Sequence, residues 1–127
     1  MLKKRLYLSS PTMSGYEMNY INEAFETNWI APLGKNVDEF EKEIAAYVNI
    51  GYASALSSGT AAIHLALKLA DVKQDDIVFC SDLTFSATVN PVSYEKGKQV
   101  FIDSEKDTWN MDPKALEKAF EKYKTPK

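Results

Sequence analysis

The stretch that decides the fold is Ser57-Ser58-Gly59-Thr60-Ala61-Ala62-Ile63-His64-Leu65-Ala66-Leu67. The apolar run at residues 52–56, just before this stretch, predicts a strand. The Ala- and Leu-rich residues of the stretch itself predict a helix that runs to about Ala70. Small residues at such a turn let an anion approach the first helical amides, which lack intrahelical acceptors and lie at the positive end of the dipole. Ser58 and Thr60 could add hydroxyl donors. The turn therefore predicts a phosphate site, but an ordinary helix cap by Ser58 with nothing bound remains an equal alternative.

The chain after this turn alternates predicted strands and helices. The predicted order is a turn at Asp75-Asp76, a buried strand at 77–80, a loop at 81–84, a helix at 85–94, a strand at 100–102 and a helix at 114–123. Pro91 predicts a kink or an early end of its helix, Gly97 predicts that helix's C-terminal stop, and Asp112-Pro113 predicts the start of the last helix. This pattern indicates an α/β fold with a mostly parallel sheet, right-handed crossovers and helices on both faces.

A second candidate site element follows the next strand. Ligands in parallel sheets bind beyond the carboxyl ends of the strands, and two loops leave such ends, at residues 57–61 and 81–85. The ring of Phe85 could stack on a flat heteroaromatic ligand there. The alternative is that Phe85 is a core residue at a helix start.

The first fifty residues predict two helices joined by an apolar loop. Residues 6–8 could form an edge strand, and Ser14 with Glu17 matches a capping box before a helix that ends near Asn28. The loop Trp29-Ile30-Ala31-Pro32-Leu33-Gly34 carries bulky apolar side chains that need a surface to cover, in this domain or in another chain. Asn36 or Asp38 is expected to cap the second helix. The predicted inner face of that helix consists of Val37, Phe40, Ile44, Tyr47 and Val48.

Composition narrows the class of protein. The chain has 127 residues, a net charge of −3 and 45% hydrophobic residues, which is ordinary globular usage without a basic field for nucleic acid. One cysteine, Cys80, fits a reducing compartment, and no apolar segment reaches the ~20 residues of a membrane span. The N-terminus, with Lys3, Lys4 and Arg5, lacks a signal-peptide core. We therefore expect a cytoplasmic protein that binds neither membrane nor nucleic acid, and no metal site is expected.

Several motifs together resemble one family. They are Ser58-Gly59-Thr60-Ala61-Ala62-Ile63-His64-Leu65-Ala66-Leu67, then Asp75-Asp76-Ile77-Val78, then Thr84-Phe85-Ser86-Ala87-Thr88, then Val100-Phe101-Ile102-Asp103, with Asn28-Trp29-Ile30-Ala31-Pro32-Leu33-Gly34 before them. In order and spacing they resemble the DegT-type sugar aminotransferases. These are fold-type I enzymes that use pyridoxal 5'-phosphate (PLP) and act on nucleotide-linked keto sugars. The likeness extends from about Leu8 to Tyr123 and implies the N-terminal part of an aspartate-aminotransferase-like large domain.

The resemblance implies roles for individual residues. The backbone amides of Gly59 and Thr60, with the Thr60 hydroxyl, would hold the PLP phosphate, and Ser58 and Ala61 would line the same turn. Phe85 matches the aromatic residue that stacks on the pyridine ring, and Ser86 would lie close by. Trp29, Ile30, Ala31 and Pro32 match a loop near the substrate and the dimer interface.

The catalytic residues of the family find no match in this chain. PLP transamination needs a Schiff-base lysine and an acidic partner for the ring nitrogen. Lys35 does not match the family's lysine motif, and Asp82 and Asp103 are expected to cap turns at strand ends. No catalytic residue is therefore assigned, and the chain is expected to be the N-terminal part of a longer enzyme, inactive alone. His64 is expected to be a hydrogen-bonded structural residue and Cys80 a small buried hydrophobe.

Four functions stay open at this stage. The first is a homodimeric aminotransferase that moves an amino group, with glutamate as the expected donor, to a nucleotide-linked keto-deoxysugar in polysaccharide biosynthesis. The second is a PLP-dependent sugar dehydratase of the same family, with the lysine replaced. The third is a non-catalytic phosphate- or nucleotide-binding module, and the fourth a structural piece that dimerises through the Trp29 loop. In the aminotransferase, residues 1–50 would supply the loop that contacts the substrate and the second subunit, and residues 51–127 would form the PLP-binding core.

Overall fold

The computed structural model describes residues 5–123, which divide into two compact units between Ala55 and Leu56. In chain order the elements are α1 (Glu17–Glu26), α2 (Lys35–Tyr47), α3 (Gly59–Leu69), β1 (Ile77–Ser81), a 3-10 turn (Ser86–Thr88), α4 (Asn90–Tyr94), β2 (Lys98–Ile102) and α5 (Pro113–Lys122). Within the described range, no helix is both long enough and apolar enough to span a bilayer. Lys3 and Lys4, at the basic start of the sequence, lie outside the described residues.

The second unit contains a parallel pair of strands. β1 and β2 run in register from Ile77 opposite Lys98 to Ser81 opposite Ile102. Successive side chains alternate between the two faces. Phe79 faces α5, where its ring meets the edge of Phe120 at 4.8 Å between centroids. Gln99 faces α4, since its amide donates to the Ser93 hydroxyl at 2.7 Å. The predicted α/β class, the two later strands and the helices on both faces are confirmed.

The crossover between the strands carries the core of this unit. Val92 is only 1% exposed, and Pro91, Cys80 and Ile102 are also buried. The helix predicted at 85–94 is divided into the 3-10 turn and α4, because Pro91 lies in the first turn of α4 and cannot donate a backbone hydrogen bond. The prediction that Pro91 kinks or shortens this helix is confirmed, because the helix is interrupted just before Pro91.

Two helix starts follow local sequence rules. The Ser58 hydroxyl accepts from the Ala61 N–H at 3.2 Å and caps α3. The Asp112 carboxylate accepts from the Lys114 N–H at 2.8 Å and caps α5, whose first residue is Pro113. Both predicted starts are confirmed because each depends on contacts within three residues.

Four helices end on a left-handed residue that is not glycine. These residues are Asn28, Asn49, Asp71 and Lys96, with φ between 54° and 59°. In each case the next N–H bonds back five residues, as when Gly97 donates to the Val92 carbonyl at 2.9 Å. The prediction that Gly97 itself stops the helix is therefore off by one position: Lys96 takes the left-handed conformation, and Gly97 follows it.

Two predicted strands are wrong. Residues 52–56 and residues 6–8 form no strand, although each is a short run of largely apolar residues. A strand exists only through a ladder to a neighbour. Among the described residues β1 and β2 pair with each other, and no third strand adjoins them.

The predicted packing of the first unit needs correction at two helices. α2 starts after Gly34, without a side-chain cap from Asn36 or Asp38. Its covered side holds Val37, Glu41 and Ala45, because the Glu41 carboxylate accepts from the Ala55 N–H at 2.7 Å. The predicted inner residues Phe40, Ile44, Tyr47 and Val48 are exposed.

The capping box predicted at the start of α1 is only half formed. Glu17 accepts from the Ser14 N–H, but the Ser14 hydroxyl also donates to this carboxylate instead of accepting from the helix. α1 therefore starts after Tyr16, which provides no side-chain cap.

Candidate functional site

The turn at Gly59 presents unused backbone donors. Ser58 is fully extended at φ −165°, and α3 begins directly after it. The third and fourth amides of the turn are satisfied locally, since Ala61 donates to the Ser58 hydroxyl and Ala62 to the Ser58 carbonyl. Within residues 5–123 no acceptor bonds the amides of Gly59 and Thr60. Two adjacent N–H groups at a helix start are therefore available to an anion.

The space in front of this turn is open. No atom of the described chain lies within 4 Å of the position that a Gly59 side chain would take. Gly59 is exposed, and Thr60 and Ala61 are half-buried. The turn can therefore be approached closely from solvent, and the Thr60 hydroxyl lies on the residue that offers one of the two free amides.

Phe85 is not a core residue. It is 78% exposed at the end of the loop after β1, and Ser86 beside it is also exposed. The 3-10 turn that begins at Ser86 packs against α3, the helix that carries the Gly59 turn. The structure therefore brings the crossover of Phe85 next to the helix of the predicted phosphate turn.

The strand ends carry a small polar network. Asp82, after β1, accepts from the Ser104 hydroxyl at 3.2 Å, and Asp103, after β2, accepts from the Ser104 N–H at 2.8 Å. Thr84 donates to the Thr88 hydroxyl at 2.9 Å and closes the loop before Phe85. The expectation that both aspartates cap turns at the strand ends is confirmed for Asp103, whose carboxylate binds the next backbone N–H. It is wrong for Asp82, whose carboxylate binds the Ser104 hydroxyl and caps no backbone group among the described residues.

His64 belongs to a half-buried polar cluster between α3 and α4. Its Nε2 lies 2.5 Å from Glu95 Oε1, and Lys68 Nζ lies 2.9 Å from the same oxygen. The His64 ring also meets the Tyr94 ring edge-on at 5.4 Å. The predicted hydrogen bond of His64 is confirmed, but its partner is distant in the sequence and not local, and the purely structural role of His64 stays a prediction.

Sequence reasoning missed Glu95 as the partner. Glu95 is separated from His64 by 31 positions. The only local indication is that His64 and Lys68 are four residues apart and so share one face of α3.

Cys80 is buried, at 7% exposure, and burial raises the pKa of its thiol. A protonated, buried thiol is a poor nucleophile. The prediction that Cys80 acts as a small hydrophobe is confirmed.

The apolar loop in the first unit encloses a cavity. The Trp29 indole N–H donates to the Leu33 carbonyl at 2.6 Å, and the ring lies over Gly34, whose φ is 135°. Any side chain at Gly34 would overlap the indole. The loop and the facing parts of α1 and α2 line a cavity of about 540 Å³. The predicted loop is confirmed, and Trp29, Ile30 and Leu33 remain exposed at 59% or more.

Lys35 at the rim of this cavity is already paired. Its ammonium group binds the Glu23 carboxylate, and this hydrogen bond, with the Coulombic attraction of the pair, raises the pKa of Lys35. A lysine held in its charged form is a poor nucleophile. This ion pair is consistent with the sequence analysis, which assigned Lys35 no catalytic role.

Comparison with known proteins identifies relatives along almost the whole chain. Residues 11–125 match the model of the DegT/DnrJ/EryC1/StrS aminotransferase family. EpsN of Bacillus subtilis (strain 168), which carries the name of a pyridoxal phosphate-dependent aminotransferase, is 58% identical over 97% of this chain and 32% of its own length. GDP-perosamine synthase of Escherichia coli O157:H7 is 33% identical over 90% of this chain and 31% of its own length.

A solved structure matches as well. Spr1654 from Streptococcus pneumoniae, named as a sugar aminotransferase and solved in a PLP form, superposes with a TM-score of 0.81 at 26% identity, over 91% of this chain and 29% of that one. The chain thus spans about a third of the length of the curated relatives that it matches.

Proposed function

The chain belongs to the DegT/DnrJ/EryC1/StrS aminotransferase family, and from this premise we propose that it forms the phosphate- and ring-binding part of a PLP-dependent nucleotide-sugar aminotransferase. The whole protein would move an amino group, from glutamate as donor, to the keto group of a nucleotide-linked deoxysugar in polysaccharide biosynthesis. The names of the relatives support this activity. The single observation that carries the cofactor assignment is the pair of free amides at Gly59 and Thr60.

The residues at the turn fit the phosphate of PLP. A phosphate dianion needs several donors and little steric cover, and the turn offers two amides, the Thr60 hydroxyl and open space at Gly59. Ser58 holds the turn in place through its bond to Ala61. Hydrogen bonds to a charged group contribute about 1.5–3 kcal/mol each, so this turn could supply much of the cofactor affinity.

The exposed ring of Phe85 would cover one face of the cofactor. Offset stacking on an aromatic ring contributes about 0.5–1.5 kcal/mol beyond area burial. A Phe that is 78% exposed buries little of its surface in its present surroundings, which leaves its ring free to cover a ligand. Ser86, the next residue, would lie at the edge of the same ring.

The cofactor supplies the chemistry, and this chain supplies the position. When bound, PLP acts as the electron sink that allows an amino group to be exchanged. Because Lys35 is paired with Glu23 and the chain spans about a third of the length of its curated relatives, we propose that the Schiff-base lysine and the acidic partner of the ring come from outside these 127 residues. Residues 51–127 would then form the cofactor-binding core.

Residues 1–50 would contribute the substrate and dimer loop. Trp29, Ile30, Ala31 and Pro32 form a largely exposed apolar loop beside a cavity of about 540 Å³. Such a surface is typical of a binding site or an interface. We propose that the loop contacts both the nucleotide-sugar and a second subunit. We propose that the protein is cytoplasmic, because these 127 residues contain a single cysteine, Cys80, and that cysteine is not in a disulfide.

Titration of the intact protein with PLP, followed by its absorbance, tests the cofactor site. Thr60→Ala should weaken binding about 10-fold or more, by loss of a hydrogen bond to a charged group, while Thr60→Ser should retain it. Phe85→Leu should weaken it about 2- to 10-fold, and Phe85→Tyr should not. Tyr52→Ala, at an exposed aromatic residue outside the site, is the control. Binding that ignores both Thr60→Ala and Phe85→Leu would reject the site.

The enzyme proposal has its own test. Sequencing the gene beyond the codon for Lys127 should find a lysine after a further strand and loop. Tighter binding of a nucleotide than of PLP at the Gly59 turn would instead support a non-catalytic nucleotide-binding module.

A further inference from the structure

One carboxylate joins the two elements that carry the proposed cofactor contacts. Glu95 Oε1 accepts from Lys68 Nζ at 2.9 Å and lies 2.5 Å from His64 Nε2. His64 and Lys68 belong to α3, which begins at the Gly59 turn, whereas Glu95 follows α4 in the crossover that begins at Phe85. The Glu95 side chain is only 16% exposed, less than either partner.

Glu95 lies beside the buried part of the crossover. Val92, three residues before Glu95, is 1% exposed, and the Gly97 N–H donates to the Val92 carbonyl at 2.9 Å. The crossover is also tied to the sheet, because the Gln99 amide of β2 donates to the Val89 carbonyl at 2.9 Å and to the Ser93 hydroxyl. Glu95 therefore links α3 to the C-terminal end of the crossover, and a shift of α3 against this crossover would stretch the contacts of Glu95.

We propose that Glu95 is a positioning residue that fixes the distance between the Gly59 turn and the ring of Phe85. A ligand that is held by its phosphate at one turn and by its ring at another gains affinity only when both contacts can form together. Glu95 touches neither contact and acts through His64 and Lys68. This inference rests on the proposed function, since it assigns Glu95 a part in the same cofactor site.

The charges around Glu95 favour such a fixed contact. The groups that face it are Lys68 and His64 from α3, with the Tyr94 ring packed on His64. The hydrogen bond from Lys68, and after it that from His64, holds the pKa of Glu95 below its usual range. The carboxylate therefore keeps its charge, and its two contacts, at neutral pH.

A double-mutant cycle in the intact protein tests the proposal. Glu95→Ala should weaken PLP binding about 2- to 10-fold in the wild-type background, within the range of couplings between neighbouring residues, but have almost no effect beside Phe85→Leu. Binding of inorganic phosphate, which needs the Gly59 turn alone, should change less than about 2-fold, the error of additivity between separate sites. Glu117→Ala, at an exposed glutamate of α5, is the matched control.

The outcomes separate the positioning role of Glu95 from the cofactor site itself. An equal loss of PLP binding in both backgrounds, or a parallel loss of phosphate binding, would show general damage and reject the positioning role. If Glu95→Ala unfolds the protein, Glu95→Gln, which retains an acceptor oxygen without the charge, carries the same comparison. PLP binding that is insensitive to Phe85→Leu would remove the ring contact that this inference needs and so reject the inference, whereas binding that also ignores Thr60→Ala would reject the proposed site itself.

Discussion

The Glu17 carboxylate closes the start of α1 by binding backbone N–H groups that no helical carbonyl can reach. It accepts from Ser14 at 2.5 Å and from Gly15 at 2.8 Å. Hydrogen bonds to the carboxylate, of which the bond from the Ser14 N–H has the largest effect, lower the pKa of Glu17 from 4.5 to about 2. A carboxyl whose folded pKa is lowered contributes stability that is present above its unfolded pKa and is lost as the pH falls through the folded value.

We therefore expect α1 to lose stability between about pH 4.5 and pH 2, with the Glu17 carboxyl titrating at the lower end. NMR titration of side-chain carboxyl shifts, with amide exchange in α1, measures both. Glu17→Gln should remove this low-pH dependence, because an amide does not ionise. Glu43→Gln, at an exposed position of α2, should preserve it, and a Glu17 titration near pH 4.5 would contradict the prediction.

Individual site residues differ in how far sequence could identify them. Ser58 and Gly59 were predictable because a helix start is a local event, and the structure gives them the expected cap and exposed turn. For Phe85 the sequence left open a ring that stacks on a ligand and a core position, of which the core position is the more frequent for Phe, and only the fold shows that Phe85 is exposed. Glu95 was not predictable, because its partners lie 27 and 31 positions away, as 95 − 68 and 95 − 64 show.

At the scale of elements, predictions succeeded where the determinants are local. α3 and α5 start at their predicted caps, and Pro91 divides its helix as expected. Predictions failed where a neighbour decides the outcome. Residues 52–56 are a short apolar run with no partner strand among the described residues. The Glu41 side of α2 is covered, because Glu41 binds the Ala55 backbone.

The end of α4 offers a test of the helix-termination rule. Lys96 is left-handed at φ 59°, a conformation that costs an L-residue other than Asn or Asp about 1–2 kcal/mol. Lys96→Gly should therefore stabilise this helix end by about 1 kcal/mol. Hydrogen exchange at the Gly97 amide, which bonds Val92, reports the change. Asp71→Gly at the end of α3 is the comparison and should gain less, and faster exchange in Lys96→Gly would contradict the rule.

At the scale of the whole molecule, apolar side chains remain uncovered in both units. Trp29, Ile30 and Leu33 in the first unit are 59–71% exposed, and Leu69 and Phe85 in the second about 80%. Surfaces of this kind mark interaction sites in soluble proteins. This agrees with the proposal that the Trp29 loop contacts a second subunit.

A dimer through this loop predicts a clear effect of one substitution. Trp29→Ala should raise the dissociation constant of the dimer about 30-fold or more, since buried tryptophans at interface centres contribute about 2 kcal/mol or more. Sedimentation of the intact protein over a range of concentrations measures it. Tyr52→Ala, at another exposed aromatic residue of the same unit, should leave the equilibrium unchanged. A monomeric wild-type protein would contradict the dimer.

The buried thiol of Cys80 makes the opening of β1 measurable without an engineered reporter residue. It is the one cysteine of these 127 residues, it is 7% exposed, and it lies in the strand that pairs with β2. A thiol reagent should modify it much faster in molecules whose strand pair has opened, so the modification rate reports how often the pair opens. A ligand that stabilises the second unit should slow the modification of Cys80, whether or not the protein turns over a substrate.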